Sequence, residues 1–241
     1  MAATDPLNLD PPTDEDLAAA LSAWREGRLQ HELAPGSLWY RILRARSAEE
    51  ALEFARVCYP SETNNRFSPV RKSGVIVPAA YAGDRPETAA WEVVLRDIRH
   101  KGIRRIPEHE SRDRYLIEAR LLQPMLVVDI RRPQIENLVA AGKRSPLLSA
   151  APNFHYDQTR HWGQQLLDHL PEMRGILYES HQVRGDCIIV FAEEGMTLFE
   201  PVDDAISVRD EPIRALLRRE AARANVVVDF GDTAERSEGF E

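Results

Sequence analysis

Hydrophobic and polar positions along the chain follow two periodicities. Segments rich in β-branched and aromatic residues, bounded by turn residues, predict strands over 37–43, 74–81, 115–130, 175–180 and 186–192. Apolar residues that recur every three to four positions predict helices over 13–24, 47–58, 85–100, 133–141, 156–170 and 211–224. Strands and helices mix without a regular βαβ order, which favours an α+β fold with mixed central sheets and flanking helices.

Residues at the element boundaries sharpen these predictions. Ser47 opens a capping-box pattern at the start of the second helix, and Pro86 suits the first turn of the third. Pro78 indicates an edge position or a bulge in its strand. Pro124 breaks the long pattern that contains it, which predicts one or two strands. Short edge strands are expected within 196–200 and 205–208, whereas 101–114 is charged and predicted to be irregular.

Composition narrows the class of protein. The chain has 241 residues, of which 43% are hydrophobic and 29% charged, as expected for a globular protein with a real core. Its net charge of −8 disfavours a general nucleic-acid binder. Two cysteines without a CxxC pair make a disulfide framework or zinc site unlikely and fit a reducing cytoplasm. No apolar run of membrane-spanning length is present, and the acidic, proline-rich start is unlike a signal peptide.

One stretch, 64–92, combines residue types that suit a nucleotide-like ligand. Its polar loop carries Arg66 and Arg71, its strand ends at Tyr81, and its helix places Glu92 on the second turn. A loop, a strand and the following helix can meet at one edge of a sheet. Arginine offers a planar, permanently charged fork for phosphate. The stretch therefore predicts a site for a phosphorylated, ribose-bearing ligand.

The same residues have ordinary structural interpretations as well. Arginines on strands and in polar loops are commonly solvated or paired with surface carboxylates. A tyrosine at a strand end, such as Tyr81, often lies at the edge of the core, and Ser180 is placed where it could simply cap a hairpin. The histidines are spaced too irregularly for a metal site, so no metal is expected.

Six short motifs follow one another along residues 37–192. They are Tyr40-Arg41, Asn65-Arg66-Phe67-Ser68-Pro69, Tyr81-Ala82, Ala89-x-x-Glu92, Gly175-x-x-Tyr178-x-Ser180 and Val190-Phe191. In this order they resemble the RES domain, a family named for its arginine, glutamate and serine. Each motif is short, whereas their order and chemistry together are specific.

The resemblance implies a fold related to ADP-ribosyltransferase toxins and an activity on NAD⁺, by hydrolysis, phosphorolysis or transfer of ADP-ribose. It also implies that the protein is the toxin of a bacterial toxin–antitoxin pair, cytoplasmic and neutralised by an Xre-like antitoxin. NAD⁺ is then the substrate, and no further cofactor, nucleic acid or membrane is expected as a partner. A homo-oligomer and a toxin–antitoxin hetero-oligomer both stay open.

Matching the motifs residue by residue gives each candidate a role. Glu92, Arg41 and Ser180 are the predicted catalytic residues, and Arg66, Tyr81 and, more weakly, Arg71 are the predicted NAD⁺-binding residues. Cleavage of the nicotinamide–ribose bond passes through an oxocarbenium-like state, which a carboxylate such as Glu92 can stabilise. Arginines suit the pyrophosphate, and Tyr81 can stack on the cationic nicotinamide. Ser180 is expected to hydrogen-bond the amide or a ribose hydroxyl.

The predicted domain organisation places a RES domain at 37–192. Residues 1–36 form an N-terminal extension with a disordered start and a helix, and residues 193–241 add strands, a helix and an acidic tail packed on the same domain. The chain departs from the family pattern in that extension and in a long segment, 100–155, between the glutamate and serine motifs.

Three other functions remain open at this level. The same NAD⁺ site would serve a mono-ADP-ribosyltransferase that modifies a specific protein, because the acceptor leaves no mark in these motifs. A non-catalytic nucleotide-sensing or interaction module could keep the fold. A secreted effector could use the same chemistry as a toxin–antitoxin toxin.

Overall fold

The structure is a computed structural model that describes residues 14–62, 65–95, 102–106, 111–131, 134, 156–180 and 182–230. This described part contains five helices of eight residues or more: α1 (Asp14–Arg25), α2 (Ala48–Arg56), α3 (Pro86–Val93), α4 (Tyr156–His169) and α5 (Glu211–Arg223). None of its helices is both long and apolar enough to cross a membrane.

Thirteen strands accompany these helices in the described part of the chain. They are β1 (Gln30–Leu33), β2 (Leu38–Arg44), β3 (Arg71–Lys72), β4 (Val75–Ile76), β5 (Ala79–Gly83), β6 (Gly102–Arg105), β7 (Arg114–Leu121), β8 (Met125–Asp129), β9 (Gly175–Glu179), β10 (Asp186–Phe191), β11 (Phe199–Pro201), β12 (Ile206–Ser207) and β13 (Val226–Asp229).

Nine of these strands form one mixed sheet in the order β1-β8-β9-β10-β5-β2-β7-β11, with β12 also paired to β7. The β8–β9 pair is parallel, and the other pairs are antiparallel. A parallel pair, β6–β13, and a small hairpin, β3–β4, stand apart. The predicted α+β fold is therefore confirmed.

Local signals placed several boundaries correctly. Ser47 is the N-cap of α2, where its Oγ accepts a hydrogen bond from the Glu50 amide at 3.3 Å. Pro86 opens α3, as its missing amide proton allows, and Pro124 separates β7 from β8. Pro78 divides the strand predicted over 74–81 into β4 and β5, because it has no amide proton to donate to a neighbouring strand.

Other elements were missed or lie outside the described residues. β1 and β6 were not predicted, and β6 lies in a segment predicted to be irregular. Both are four residues long, and β6 forms only through its partner β13, more than a hundred residues away. The predicted helix 133–141, the end of the helix 85–100 and the tail beyond 230 fall largely or wholly outside the described residues.

The two faces of the large sheet are covered by different helices. On one face, α1 and α4 pack with Trp24, Leu166 and Ile189, and α3 and α5 pack beside them with Trp91 and Leu217. The opposite face packs against α2 and against the loops around Cys58 and Leu198. The first helix pair packs on β5, β9 and β10 and the second on β2 and β7, so the change from one pair to the other occurs between the neighbouring strands β5 and β2. The candidate site lies beside this change.

Candidate active site

Arg66 is buried in the loop between α2 and β3, with 4% of its surface exposed. Its guanidinium carbon lies 5.2 Å from the ring centre of Tyr178 and 5.8 Å from that of Tyr156, within the range of cation–π attraction. The Thr159 hydroxyl of α4 donates a hydrogen bond to the Arg66 carbonyl. The loop is thus fastened to α4 and holds its cation among aromatic rings.

The charge of Arg66 is stabilised by its surroundings. Burial alone lowers the pKa of the guanidinium, but attraction to the Glu92 carboxylate, to Tyr178 and to Tyr156 outweighs it and raises the pKa. A buried cation is tolerated when an anion and hydrogen bonds compensate its lost hydration. Arg66 and Glu92 are therefore electrostatically coupled.

Glu92 is held by Ser180. The Ser180 hydroxyl donates to Glu92 Oε1 at 2.7 Å and accepts from the amides of Gln182 at 3.2 Å and Val183 at 3.4 Å. Because a hydroxyl has one proton, these two amides leave that proton directed at the carboxylate. The Ser180 amide in turn donates to the Gly185 carbonyl at 2.9 Å, which closes the turn between β9 and β10.

Close packing places this turn against the start of α3. A Cβ on Gly185 would lie 2.1 Å from Thr88 Oγ1, and a Cβ on Gly83 would lie 2.9 Å from the Ala89 amide nitrogen. Only glycine permits these approaches. Thr88 also donates to Asp84 Oδ1 at 2.7 Å. The helix that carries Glu92 and the turn that carries Ser180 are consequently in direct contact.

Tyr81 supports the Arg66 loop from β5. Its hydroxyl accepts from the Phe67 amide at 3.0 Å and shares a hydrogen bond of 3.1 Å with Ser68 Oγ. Burial raises the pKa of Tyr81 to about 12, although those two hydrogen bonds act in the opposite direction. Tyr81 as a whole residue is of intermediate burial, and its predicted stacking on nicotinamide stays a prediction.

Arg41 is placed elsewhere, on the opposite face of the sheet. Tyr40 pairs with Gly83 and thus faces the Tyr81 side, so its neighbour Arg41 points away from it. Arg41 Nη1 donates to the carbonyl of Ala55 at 2.6 Å, at the end of α2, and burial lowers the pKa of its guanidinium. The structure does not bring this predicted catalytic residue together with Glu92 and Ser180.

Arg71 is likewise separate from this cluster. Its side chain is 51% exposed, donates to the Gly74 carbonyl at 3.1 Å and lies 3.9 Å from Glu62. Gln164 of α4 exchanges hydrogen bonds of 2.7 Å with the backbone amide and carbonyl of Arg71. Arg71 therefore belongs to a small exposed hairpin, and its predicted binding of NAD⁺ stays a prediction.

Two tyrosines of the site had no assigned role from sequence. Tyr178 lies on β9, and Ser180 directly follows the last residue of that strand. A spacing of two in extended chain places both side chains on one face. The motif containing Ser180 could therefore have revealed it. Tyr156 is the first residue of α4, and no local signal relates it to Arg66. Across the described residues, no group of His, Cys, Asp and Glu side chains is arranged to hold a metal ion.

Comparison with known proteins identifies the family. Residues 38–212 match the RES domain, so the chain belongs to the RES-domain family, as its motifs predicted. Among solved structures, the crystal structure of the M. tuberculosis MbcT–MbcA toxin–antitoxin complex has a similar fold, with a TM-score of 0.50 at 15% sequence identity. That similarity covers 85% of this chain and 98% of the matched one. No curated protein matches the chain.

Proposed function

We propose that this protein cleaves NAD⁺ at the bond between nicotinamide and ribose, as the toxin of a toxin–antitoxin pair. The observation that carries the proposal is the cluster of Arg66, Glu92 and Ser180, in which a carboxylate is coupled to a buried cation and oriented by a hydroxyl. These three residues come from the family's arginine, glutamate and serine motifs, and the match to the RES domain supports the assignment.

In the proposed reaction, Glu92 stabilises the positive charge that develops on the ribose as nicotinamide leaves. Nicotinamide departs neutral and takes the bonding electron pair, so no acid is needed. Ser180 fixes the carboxylate before substrate arrives, so little reorganisation is needed during the reaction. The buried Arg66 cation interacts electrostatically with the same carboxylate. Water then adds to the ribose carbon and loses a proton to give ADP-ribose, or phosphate adds to give its 1″-phosphate.

The buried position of Arg66 supports a role toward Glu92 more directly than a role in binding pyrophosphate. A guanidinium that binds a phosphate group from solution must be accessible to it, whereas only 4% of the Arg66 surface is exposed. Contact between Arg66 and the pyrophosphate therefore stays a prediction from sequence. Stacking of Tyr81 on nicotinamide likewise stays a prediction from sequence.

A protein antitoxin is the proposed partner. The matched M. tuberculosis structure is that of a toxin–antitoxin complex, and the RES motifs carry the same expectation for this chain. An antitoxin would act by blocking access of NAD⁺ to Glu92.

The test is to incubate the purified chain with NAD⁺ and follow nicotinamide release, with and without phosphate. Glu92→Ala should lower the rate by about 100–1,000-fold, because it removes transition-state charge stabilisation. Because it also leaves the buried Arg66 cation without its anion and should lower stability, rates are compared per folded protein, with urea unfolding measured on the same samples. Glu49→Gln, an exposed change on α2, is the control. No release with either acceptor, and no labelled protein in an extract, would sink the proposal.

The toxin role has its own test. Induced expression of the wild-type chain should arrest growth and deplete NAD⁺, whereas Glu92→Ala at equal expression should not. A growth arrest of equal strength from the Ala variant would separate toxicity from NAD⁺ cleavage. If radiolabel were transferred from NAD⁺ to one protein without release of free ADP-ribose, the protein would be an ADP-ribosyltransferase instead.

A further inference from the structure

A buried carboxylate lies outside the proposed site, on α5. Glu220 is 1% exposed and stands among apolar neighbours of the core that includes Leu217 and Ala221. One of its oxygens, Oε1, accepts from Arg223 Nη1 at 2.8 Å and Arg219 Nε at 3.3 Å. The other, Oε2, accepts from Trp91 Nε1 at 3.4 Å. A buried charge is costly unless paired in this way, and such pairs seldom add net stability.

A second contact connects the same helices. Arg219 Nη2 donates to Glu87 Oε1 at 2.9 Å, so one arginine links Glu220 to the first turn of α3. Glu87 and Trp91 are four residues apart and therefore share one face of α3. α5 consequently contacts one face of α3 at two positions, Glu87 and Trp91.

The face of α3 that carries Glu87 and Trp91 lies next to Glu92. Trp91 immediately precedes Glu92, and successive helical residues differ by about 100° around the axis. α3 has eight residues, too few to be a stable helix by itself. Its rotation is therefore set by what surrounds it, and a small rotation would move the Glu92 carboxylate away from Ser180.

We propose that Glu220 is a positioning residue for Glu92, acting through Trp91 to set the rotation of α3. Most of α5, and the strand β13 after it, lie beyond the residues that match the family, which end at 212. The C-terminal segment would thus complete the site in this chain. The inference rests on the proposed role of Glu92 in catalysis.

The test compares Glu220→Leu with Glu220→Gln. The Leu change removes every polar contact, and we expect kcat to fall by about 10–100-fold with KM within about threefold, because a displacement near 1 Å costs on that scale. The Gln change keeps an oxygen for Trp91 and should lose much less. Glu211→Gln, on the same helix and with a side chain 71% exposed, is the control and should stay within about twofold.

A double-mutant cycle tests the route through Trp91. Trp91→Phe removes the indole donor, and its loss should not add to that of Glu220→Leu if both act through one contact. Additive losses, or an unchanged kcat in a folded Glu220→Leu variant, would overturn the proposal. If the Leu variant fails to fold, Trp91→Phe alone decides the question, because it removes the donor to Glu220: a folded Trp91→Phe variant with unchanged kcat would overturn the proposal.

A readout that does not depend on turnover separates this inference from the proposed function. In ¹H–¹⁵N spectra, Glu220→Leu should shift the Trp91 indole resonance and the backbone amides of Glu92 and Ser180, whereas Glu211→Gln should not. An inactive wild-type chain would remove the proposed function but leave this result intact. Unmoved Glu92 and Ser180 resonances would refute the positioning role whatever the activity.

Discussion

Arg66 and Arg41 are equally buried, each with 4% of its surface exposed, yet they occupy opposite faces of one sheet in different chemical settings. Arg66 is coupled to Glu92 and lies between two tyrosine rings. Arg41 donates to main-chain carbonyls at the end of α2 and lies 5.6 Å from the Phe199 ring centre. The pKa of Arg66 is raised and that of Arg41 is lowered.

The difference shows that burial of a charge does not by itself identify a functional residue. The carbonyls at the end of a helix carry partial negative charge, and a cation there satisfies them. Arg41 fits this structural role. Arg66 instead faces a carboxylate that is also oriented by Ser180, and that arrangement can perform chemistry.

Replacing Arg66 should have the largest effect on turnover. Arg66→Met removes the buried cation that is coupled to the Glu92 carboxylate and so changes the electrostatic field of the site, and we expect kcat for nicotinamide release to fall by about 100-fold or more. Initial rates with saturating NAD⁺ measure this. Arg66→Lys keeps the charge and should recover part of the rate. If Arg66→Met were as active as the wild type, the electrostatic role given to Arg66 would be wrong.

Replacing Arg41 should affect stability rather than turnover. Arg41→Met leaves the Phe54 and Ala55 carbonyls without their donor and should lower the free energy of unfolding by about 2 kcal/mol. The folded fraction should keep kcat within about threefold. Urea unfolding and initial rates on the same samples give both quantities. A large loss of kcat in fully folded protein would return Arg41 to the catalytic residues predicted from sequence.

The dependence of stability on alkaline pH compares two groups that are neutral at pH 7, one on each face of the large sheet. Burial raises the pKa of the Cys58 thiol to about 11, beneath the sheet, and that of Tyr81 to about 12, in the site. Each group stabilises the fold fully below its unfolded pKa, and this stabilisation is lost as pH rises toward the folded pKa. At about pH 10.5 the loss should be about 2 kcal/mol from Cys58 and about 1 kcal/mol from Tyr81.

Urea unfolding at pH 8 and at about pH 10.5 measures this dependence. Cys58→Ala should reduce the difference in unfolding free energy between the two pH values more than Tyr81→Phe does. Tyr81→Phe should also weaken nicotinamide release, because it frees the Arg66 loop from the tyrosine hydroxyl. An equal pH dependence in wild type and Cys58→Ala would show that the thiol ionises normally in the folded chain.

Replacing Arg71 should have the smallest effect. Its side chain is half exposed and contacts the Gly74 carbonyl and Glu62 at the surface, so Arg71→Ala should change KM for NAD⁺ by less than about twofold. Steady-state kinetics at physiological salt provide the check. An increase in KM of tenfold would place Arg71 in contact with substrate and enlarge the site toward the β3–β4 hairpin.

Prediction from sequence was most successful where the signal is local. The Ser47 cap, Pro86 at the start of α3 and the break at Pro124 are short-range effects of hydrogen bonding and proline geometry. Short motifs also singled out Arg66, Glu92 and Ser180, which the structure brings together, and their roles stay predictions. β1 and β6 were missed because four residues carry little periodicity and pairing with a distant strand decides their conformation.

The amino-acid sequence by itself determined the types of the longer elements, the RES motifs and the chemical groups available to the site. Alternation along β2 required Tyr40 and Arg41 to face opposite ways, but only the tertiary structure decided that Tyr40 faces the Tyr81 side. It also brought Trp91 to Glu220, 129 positions away, and Ser180 to Glu92, 88 positions away. Such contacts depend on how helices and strands pack, and no local pattern encodes them.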